Sequence, residues 1–307
     1  MRPKEYLVLF TLAALWGASF LFIKVAIDDL SPLTLVFIRM VIGAAGLLLF
    51  VLCQSSVMKG WHKHIKAFTV VTIFNAIIPY LAISWGEQYI TSGMAAILNA
   101  TTPLVLVIIS MWWPGGERLT WLRLIAVILG FLGVGMLVGP SVFSFHASDL
   151  TLIGALAVII GAASYAFAGL LARKLLAGLP LMQQATGQIG MGALLLAPVA
   201  GVGLVIQPLT HVPSVWVIAS VLALSLGGTT IAYLCYFWLL EHVGATRTLI
   251  VTYLLPCMAL IYGAILLHEP ISINGLGGLA LVLVGIFLAG QKSDTKLPLW
   301  KPLSRQE

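Results

Sequence analysis

Charged residues are scarce in this sequence. Lys, Arg, Asp and Glu make up 8% of its 307 residues, whereas soluble domains contain about 25%. Apolar residues make up 61%, and apolar runs of about 20 residues, the length that crosses a bilayer as a helix, recur along the chain. These proportions argue against a soluble protein and indicate a polytopic membrane protein.

Metal-binding and nucleotide-binding patterns are also missing. The three cysteines, Cys53, Cys235 and Cys257, are isolated, so we interpret them as small apolar residues rather than metal ligands. There is no GxxxxGK[ST] loop, so the chain is not expected to hydrolyse ATP. We expect no metal and no cofactor. The formal net charge of +6 fits basic loops on one side of a membrane better than a nucleic-acid partner.

Carboxylates are missing from the middle of the apolar runs. Glu87 and Glu241 fall at run ends, and all six His lie in connections or at boundaries. Proton-driven carriers usually need a titratable group at membrane depth, so these absences favour a facilitator or exchanger. Coupling through a boundary glutamate or Lys24 stays open. An intramembrane enzyme would need paired Asp, Ser with His, or clustered His inside the membrane, and the runs contain none of these.

The apolar runs predict an all-α protein with ten transmembrane helices. The expected helices are Tyr6–Ile27, Pro32–Cys53, Ile65–Gly86, Ser92–Trp112, Trp121–Gly139, Leu150–Leu175, Leu181–Ile206, Pro213–Leu240, Thr246–Leu267 and Ile273–Gly290.

Basic residues predict the orientation. If the N-terminus is cytoplasmic, 14 of the 16 Lys and Arg fall on the cytoplasmic side, and the other two, Lys24 and Arg39, lie within helices. Lys and Arg concentrate on the cytoplasmic side of membrane proteins. We therefore expect both termini in the cytoplasm of a multi-pass protein of the inner membrane.

Residues of the third and fourth helices return in the eighth and ninth at a constant offset of 153 positions. The pairs are Tyr80 and Tyr233, Trp85 and Trp238, and Pro103 and Pro256. Since each half has five spans, an odd number, the second half must enter the membrane inverted relative to the first. The predicted organisation is a first five-helix repeat at 1–145, a second, inverted repeat at 146–290, and a cytoplasmic tail at 291–307.

Several short motifs together resemble the drug/metabolite transporter superfamily. They are Leu15-Trp16-Gly17-Ala18-Ser19-Phe20, Arg39 early in the second helix, Thr101-Thr102-Pro103-Leu104, and Glu117 and Glu269 just after the fourth and ninth helices. The likeness extends over about residues 6–290, is greatest to EamA-type members, and among these to YddG-like exporters of aromatic and other amino acids. It implies export of small amphipathic metabolites by alternating access. An exporter of drugs, nucleotide derivatives or lipid-linked sugars, with or without proton coupling, is the alternative.

Two prolines mark candidate hinges. Because proline lacks an N–H, Pro103 frees the carbonyl of Asn99 and Pro256 frees that of Thr252. Asn99 and Thr252 therefore each offer a carbonyl and a polar side chain to a substrate, at equivalent positions in the two halves. The alternative is a static kink whose carbonyl is satisfied by a neighbouring helix.

Aromatic and polar residues supply the other candidate substrate contacts. Pro79 frees the carbonyl of Asn75, and Tyr80 and Ser84 share one helix face. Hydroxylated aromatics suit stacking on and hydrogen bonding to an amphipathic substrate, although they also form interfacial belts. The remaining candidates, for which helix packing is the alternative role, are Trp16, Ser19, Ser164, Tyr165, Gln188 and Tyr233.

Lys24 and Arg39 are the two basic residues inside predicted spans. Lys24 is expected to snorkel or to pair with Asp28. Arg39 is deep enough to need a partner or a wet cavity, as a structural anchor or as a clamp for a substrate carboxylate. The expected partners of the chain are a small-molecule substrate and membrane lipid, and we expect a monomer.

Overall fold

The computed structural model describes residues 1–52, 58–113, 120–143, 149–206, 208 and 211–291. Glu117, Arg118, Cys53, His146 and the tail after Gln291, which carry several of the expectations above, lie outside these ranges. The described chain forms ten main helices. They are α1 (Pro3–Ala26), α2 (Pro32–Leu52), α3 (Trp61–Gly86), α4 (Ser92–Trp112), α5 (Trp121–Phe143), α6 (Asp149–Leu175), α7 (Leu181–Ile206), α8 (Val215–Val243), α9 (Val251–Leu266) and α10 (Ile273–Ala289).

Eight of these helices, α1 to α8, are long and apolar enough to cross a membrane. The expectation of a polytopic all-α protein is thus confirmed. Helices α9 and α10 are equally apolar but have 16 and 17 residues, slightly fewer than the roughly 20 that span a bilayer. The expected ninth helix, Thr246–Leu267, is wrong at its start, because a turn at Leu249 and Ile250 separates α9 from a short helix, Ala245–Thr248.

Contacts join the two halves of the chain throughout the bundle. Helix α1 packs along α9, α2 along α7, α3 along α6, and α5 along α10, while α4 packs on both α6 and α9. The core is apolar, and buried side chains such as Leu12, Leu35, Phe68 and Leu224 fill it. Each main helix pair therefore takes one helix from residues 1–143 and one from residues 149–289.

Glycines bring several of these helix pairs close together. A Cβ atom on Gly133 of α5 would lie 2.7 Å from the carbonyl oxygen of Gly278 in α10. A Cβ on Gly86 of α3 would lie equally close to the carbonyl oxygen of Gly154 in α6. Small residues at helix crossings allow such backbone approach in membranes, where van der Waals packing holds helices together.

The outside of the bundle is apolar. Large side chains such as Ile128, Val205, Trp216 and Phe287 are exposed on helix faces. A monomeric soluble protein rarely exposes so much apolar surface, whereas a lipid-facing surface requires it.

Two helices contain π-helical segments. The segment in α3 spans Ile73–Ile77, and the segment in α8 spans Ala223–Ile231. A π-helical turn widens the helix, redirects its side chains, and is frequent at functional sites. The two segments overlap when shifted by 153 positions, and each contacts helices from the other half of the chain.

The bundle has two ends of different charge. One end, called the acidic end below, holds Asp29, Glu87 and Glu269. There Asp29 accepts a hydrogen bond from Ser214 N, Glu269 accepts one from Ser92 N, and Lys24 donates to the backbone oxygen of Glu87. The opposite end, the basic end, holds residues such as Lys59 and Arg247.

Candidate functional site

The centre of the bundle contains a buried arginine. Arg39 of α2 is only 6% exposed. Its guanidinium carbon lies 3.9 Å from the centroid of the Tyr80 ring, and its Nε donates a hydrogen bond of 3.1 Å to Thr229 Oγ1. Within the described part of the chain, no Asp or Glu side chain lies within ion-pair distance of Arg39. A buried cation held by a π face and one hydroxyl keeps unused hydrogen-bond donors.

Three tyrosines from three helices surround this arginine. Tyr80 of α3 belongs to a buried cluster against which Tyr165 of α6 and Tyr233 of α8 pack. The Tyr233 ring stacks on that of Phe237, with centroids 5.7 Å apart. We call Arg39, Tyr80, Tyr165, Thr229 and Tyr233 the Arg39 site. The structure thus brings together four residues that were predicted from the sequence, namely Arg39, Tyr80, Tyr165 and Tyr233. It adds Thr229, which was not predicted.

Thr229 reaches the Arg39 site because of the π-helical segment in α8. Its hydroxyl lies 3.4 Å from the carbonyl oxygen of Leu224, five residues earlier, which is the π-helical spacing. The neighbouring Thr230 hydroxyl contacts the carbonyl oxygen of Gly43 in α2 at 3.3 Å. The pair Gly227-Gly228 just before these threonines was the only local signal for this irregular turn.

A layer of amides lies next to the Arg39 site, toward the basic end. Asn75 Nδ2 donates to Gln188 Oε1 at 2.8 Å, and Thr72 Oγ1 donates to the backbone oxygen of Gln188 at 3.1 Å. The side chain of Gln188 is buried. Asn75 and Gln188, both nominated from the sequence, therefore meet across α3 and α7 and fix each other's orientation.

Near Pro79, the carbonyl that a side chain satisfies is that of Phe74, not that of Asn75 as the sequence predicts. The π-helical segment shifts the hydrogen-bond register by one residue, and Ser164 Oγ of α6 donates to the backbone oxygen of Phe74 at 2.7 Å. The hydroxyl of Ser164 therefore donates to a carbonyl in the irregular part of α3, that of Phe74 and not that of Asn75. This is a structural role for a residue that the sequence nominated as a substrate contact.

Helix α4 is interrupted next to Asn99. Its first piece ends at Asn99 and its second begins at Thr102, so that Pro103 is the second residue of the new piece. The Thr102 hydroxyl donates to the Asn99 carbonyl at 2.7 Å, which satisfies the group that Pro103 leaves free. The side-chain oxygen of Asn99, however, is buried and has no hydrogen-bond partner among the described residues.

Helix α9 differs from α4. Pro256 lies inside the continuous helix Val251–Leu266. Thr252, near the start of that helix, donates its hydroxyl to the carbonyl of Leu249 at 2.7 Å. Helix α9 packs mainly on α1 and α4. That Asn99 and Thr252 are equivalent contacts in one cavity stays a prediction.

Three other nominated residues lie around the Arg39 site. The Trp16 ring lies 5.4 Å from that of Tyr236, which in turn contacts Phe237 at 5.5 Å. Ser19 donates to the carbonyl of Leu15 in its own helix at 3.1 Å, and Ser84 is buried in α3. Only Trp16 among these is connected to the site by aromatic contacts.

At the acidic end, Lys24 does not pair with Asp28 as expected. Its ammonium group donates to the backbone oxygens of Glu87 and Ile90, in the connection between α3 and α4. In that connection the side chain of Glu87 is fully buried. Glu87 does follow the last residue of α3, as the sequence indicated, but its burial was not foreseen because it depends on helices distant in the chain.

The two halves cap each other's helices at the acidic end. Glu269 accepts hydrogen bonds from Ser92 N at 2.8 Å, Ser92 Oγ at 2.9 Å and Gly93 N at 3.2 Å, and so caps α4. Asp29 accepts from Ser214 N, just before α8, at 2.8 Å. This bond to the Ser214 backbone lowers the pKa of Asp29, and the nearby His211 also lowers it. Negative groups at helix N-termini satisfy free N–H groups and the helix dipole.

A crevice opens between α2, α3 and α7 toward the basic end. Its volume is about 630 Å³, and Leu48, Trp61, Phe68 and Met191 are among the apolar residues that line it. Thr186 also lines it, and its hydroxyl is buried without a hydrogen-bond partner among the described residues.

Comparison with known proteins identifies relatives along nearly the whole chain. The model of the EamA-like transporter family matches twice, at residues 3–139 and 152–291. The chain is similar to the uncharacterized transporter YoaV of Bacillus subtilis, with 25% identity over 289 residues, covering 93% of this chain and 96% of that protein. It is also similar to the uncharacterized inner membrane transporter YedA of Escherichia coli K12, with 24% identity, covering 86% and 83%.

A protein of known crystal structure has the same fold. It matches with a TM-score of 0.64 and 19% identity, over 94% of this chain and 97% of its own. At this identity the likeness concerns the fold alone.

Proposed function

Because the chain belongs to the EamA-like transporter family, within the drug/metabolite transporter superfamily, we propose that it exports small amphipathic metabolites across the cytoplasmic membrane. The proposed substrates are amino acids, aromatic and other neutral ones, as in the YddG-like exporters that the sequence resembles. The protein works by alternating access, as a facilitator or exchanger rather than an ATP-driven pump.

The proposed architecture is ten spans in two inverted repeats, with the basic end in the cytoplasm. The excess of Lys and Arg at that end supports this orientation. The two family matches, one in each half, support the duplication. Under a two-fold relation α1 corresponds to α6 and α4 to α9, and the contact of α1 with α9 is indeed repeated as a contact of α6 with α4. Inverted repeats of this kind place a substrate site at mid-membrane.

The observation that carries the substrate class is the Arg39 site. Arg39 is buried without a carboxylate partner among the described residues, and a cation at this depth marks a substrate path or a binding site. A planar guanidinium matches a carboxylate, and the rings of Tyr80, Tyr165 and Tyr233 offer an apolar wall with hydroxyl groups. An amino acid has both parts, a carboxylate and a side chain that can lie against the rings.

The amide layer supplies a place for the substrate's ammonium group. Asn75 donates its amide hydrogen to Gln188, which leaves the Asn75 side-chain oxygen as an acceptor. An amide oxygen accepts readily from a cationic donor. Arg39 and Asn75 would then hold the two charged groups of a zwitterion from α2 and α3.

The closed acidic end and the crevice near the basic end fit a carrier that loads from the cytoplasm. Glu269 joins the α9–α10 connection to the start of α4, and the interruption next to Asn99 gives α4 a hinge. Breaking the Glu269 contacts and bending at this hinge would open the acidic end. Alternating access requires such paired closure and opening around a fixed site.

The test is uptake into liposomes that contain only this protein. We expect saturable uptake of threonine, methionine or phenylalanine, and no uptake of the corresponding amines, which lack the carboxylate that Arg39 would bind. Competition among substrates would rank the preferred side chain. Transport that ignores a broad panel of amino acids would rule out the proposed substrate class.

A second substrate class, lipophilic drugs, is favoured by the apolar crevice of about 630 Å³. Drugs that partition into the bilayer could reach the protein laterally through an opening between helices. Uptake of a lipophilic dye that depends on Phe68 but not on Arg39 would favour this alternative. Phosphorylated substrates would require several converging cations, and Arg39 is the one basic residue described at this site.

A further inference from the structure

Glu87 is a buried carboxyl group that the transport site does not use. It follows Gly86, the last residue of α3, in the connection to α4. It is 0% exposed, and neither of its carboxyl oxygens has a hydrogen-bond partner among the described residues. An ionised carboxylate in such a place would lose its hydration without compensation, which costs far more than burying the neutral acid. The surroundings therefore select the protonated form.

Charged groups face Glu87 from three directions. Lys24 of α1 is close, but its ammonium group is directed to the backbone oxygens of Glu87 and Ile90. Glu269 adds like charge, and Arg39 of α2 adds opposite charge. Helix α6 packs on the end of α3 through Gly154 and Val158, which are uncharged.

Together, these effects favour the protonated form of Glu87. Burial raises the pKa of Glu87 well above its usual range, against the opposing influence of Lys24, with a further increase from Glu269 and a further decrease from Arg39. Neither cation forms an ion pair with the carboxyl oxygens in the described chain. Desolvation thus outweighs the cations.

We infer that Glu87 is a proton-binding site that controls opening of the acidic end, so that each transport cycle involves a proton. With the acidic end closed, Glu87 is a neutral acid. When that end opens, water reaches the carboxyl group, its O–H bond breaks, and the proton passes to water. The carboxylate that remains is solvated and lies near Lys24. Closing again requires that Glu87 take up a proton from the solution at the acidic end.

This inference rests on the proposed function, because it assumes that the protein alternates between two states. It makes the proposed facilitator dependent on the pH at the acidic end. Because Glu87 releases and regains its proton on the same side, the cycle carries no net proton across the membrane. The link between proton binding and opening has a definite sign. The closed state binds the proton more tightly, so low pH favours closure, and closure is lost as the pH rises through the pKa of the closed state. Between the pKa values of the open and closed states, the open-to-closed ratio should rise about tenfold per pH unit.

The experiment measures the distance between two spin labels at the acidic end. The labels are attached to Asp28→Cys in the α1–α2 connection and Ile271→Cys after α9, both at exposed positions, in a chain whose Cys53, Cys235 and Cys257 are replaced by serine. Distances are recorded in liposomes without substrate, from about pH 5 to about pH 9, because a buried carboxyl group titrates above its usual range. We expect the long-distance population to grow as the pH rises.

The variant Glu87→Gln, which mimics the neutral acid, should keep the short distance at every pH. The matched control is Glu241→Gln, because Glu241 lies at the corresponding end of α8, in its last turn, and is exposed. This control should keep the pH dependence of the parent. Infrared spectroscopy of the unmodified protein at neutral pH should show the C=O band of a protonated carboxylic acid, which Glu87→Gln removes.

A distance distribution that ignores pH in the parent, or that retains its pH dependence in Glu87→Gln, would overturn the inference. If Glu87→Gln does not fold, the pH dependence of the parent and its infrared band still decide the matter. Neither readout needs a transported substrate. A failed amino-acid uptake assay with an intact pH response would therefore remove the substrate class alone, and uptake without any pH response would remove the proton site alone.

Discussion

Glu87, directly after α3, and Glu241, in the last turn of α8, lie at corresponding ends of their helices, yet one is buried and the other exposed. Glu87 is enclosed at the acidic end, where Glu269 of the other half caps α4. Glu241 is exposed at the basic end. The two glutamates therefore differ in burial, as expected if the proposed two-fold bundle is closed at the acidic end and more open at the other.

The prolines of α4 and α9 also have different surroundings in the two halves of the chain. Pro103 follows an interruption and begins a new helical piece, whereas Pro256 lies within a continuous helix. Prolines at equivalent positions of the two halves therefore have different effects on their helices. A bend can be concentrated at the interruption of α4, while α9 moves more nearly as one rod.

Among the described residues, only the first half of the chain contributes a charged side chain, that of Arg39, to the Arg39 site. Arg39 lies seven residues after Pro32 in α2, and Gly187 lies seven residues after Pro180 at the start of α7. Gly187 packs against the Phe68 ring and leaves no room for a side chain. The second half instead supplies Thr229 and aromatic rings to the Arg39 site.

The largest effect on transport is expected from replacing Arg39, the charged residue that only the first half supplies to the site. Arg39→Gln removes the one charge described at the centre and should lower the transport efficiency for an amino acid by about 100-fold, since truncating a buried charge partner costs about 2–5 kcal/mol. Arg39→Lys keeps the charge but not the planar geometry, and should retain part of the activity. Initial uptake rates in liposomes measure both. A large fall in the melting temperature of Arg39→Gln in detergent, alongside the loss of uptake, would show that Arg39 is a structural anchor.

The second prediction compares the prolines. Pro103→Ala allows the two pieces of α4 to join into one helix and should slow turnover about tenfold, an increase of about 1.4 kcal/mol in the barrier. Pro256→Ala, the matched control, should change turnover much less because α9 is already continuous. Neither should change the apparent affinity as much as Pro103→Ala changes the rate. The difference between the halves would disappear if both variants slowed transport equally.

Much of the fold was predictable because apolar length is a direct requirement of the bilayer. Helix starts at Pro32, Ser92, Trp121 and Leu181 were placed correctly from proline, polar and charged boundaries. The start of α9 was not, since the turn at Leu249 and Ile250 contains neither glycine nor proline. A break made of good helix formers depends on tertiary contacts that a local pattern does not contain.

The site was predictable in part for a similar reason. Repeated aromatic residues and a deep arginine identified Tyr80, Tyr233 and Arg39. The register shift in α3 and the arrival of Thr229 were missed, because π-helical turns have no reliable local signature. The burial of Glu87 was missed because it results from helices of both halves that meet only in the folded chain.

The third prediction compares the serines of α6 and α1. Ser164 donates to the Phe74 carbonyl of another helix, whereas Ser19 donates within its own helix. Ser164→Ala should destabilise the protein by about 1–3 kcal/mol, the cost of leaving a buried carbonyl without its partner. Ser19→Ala should change stability much less, because a serine hydroxyl bonded to the carbonyl four residues earlier in its own helix adds little to helix stability. Thermal unfolding in detergent measures both, and equal shifts would mean that the π-helical segment of α3 does not depend on Ser164.

The smallest expected effect concerns the two reciprocal caps at the acidic end. Glu269 caps α4 with three hydrogen bonds, two of them from Ser92, whereas Asp29 accepts one from Ser214. Because the native pKa of Asp29 is lowered below its usual value of 3.8, its cap stabilises the protein above that value, and the stabilisation is lost as the pH falls through the lowered pKa. Asp29→Asn should therefore reduce the melting temperature slightly at neutral pH and not at all in strong acid, while Asp28→Asn, its exposed neighbour, should have no effect at either pH. A difference between Asp29→Asn and the parent that persists in strong acid would show that the cap does not depend on charge, and the two halves would then differ in the number of hydrogen bonds alone.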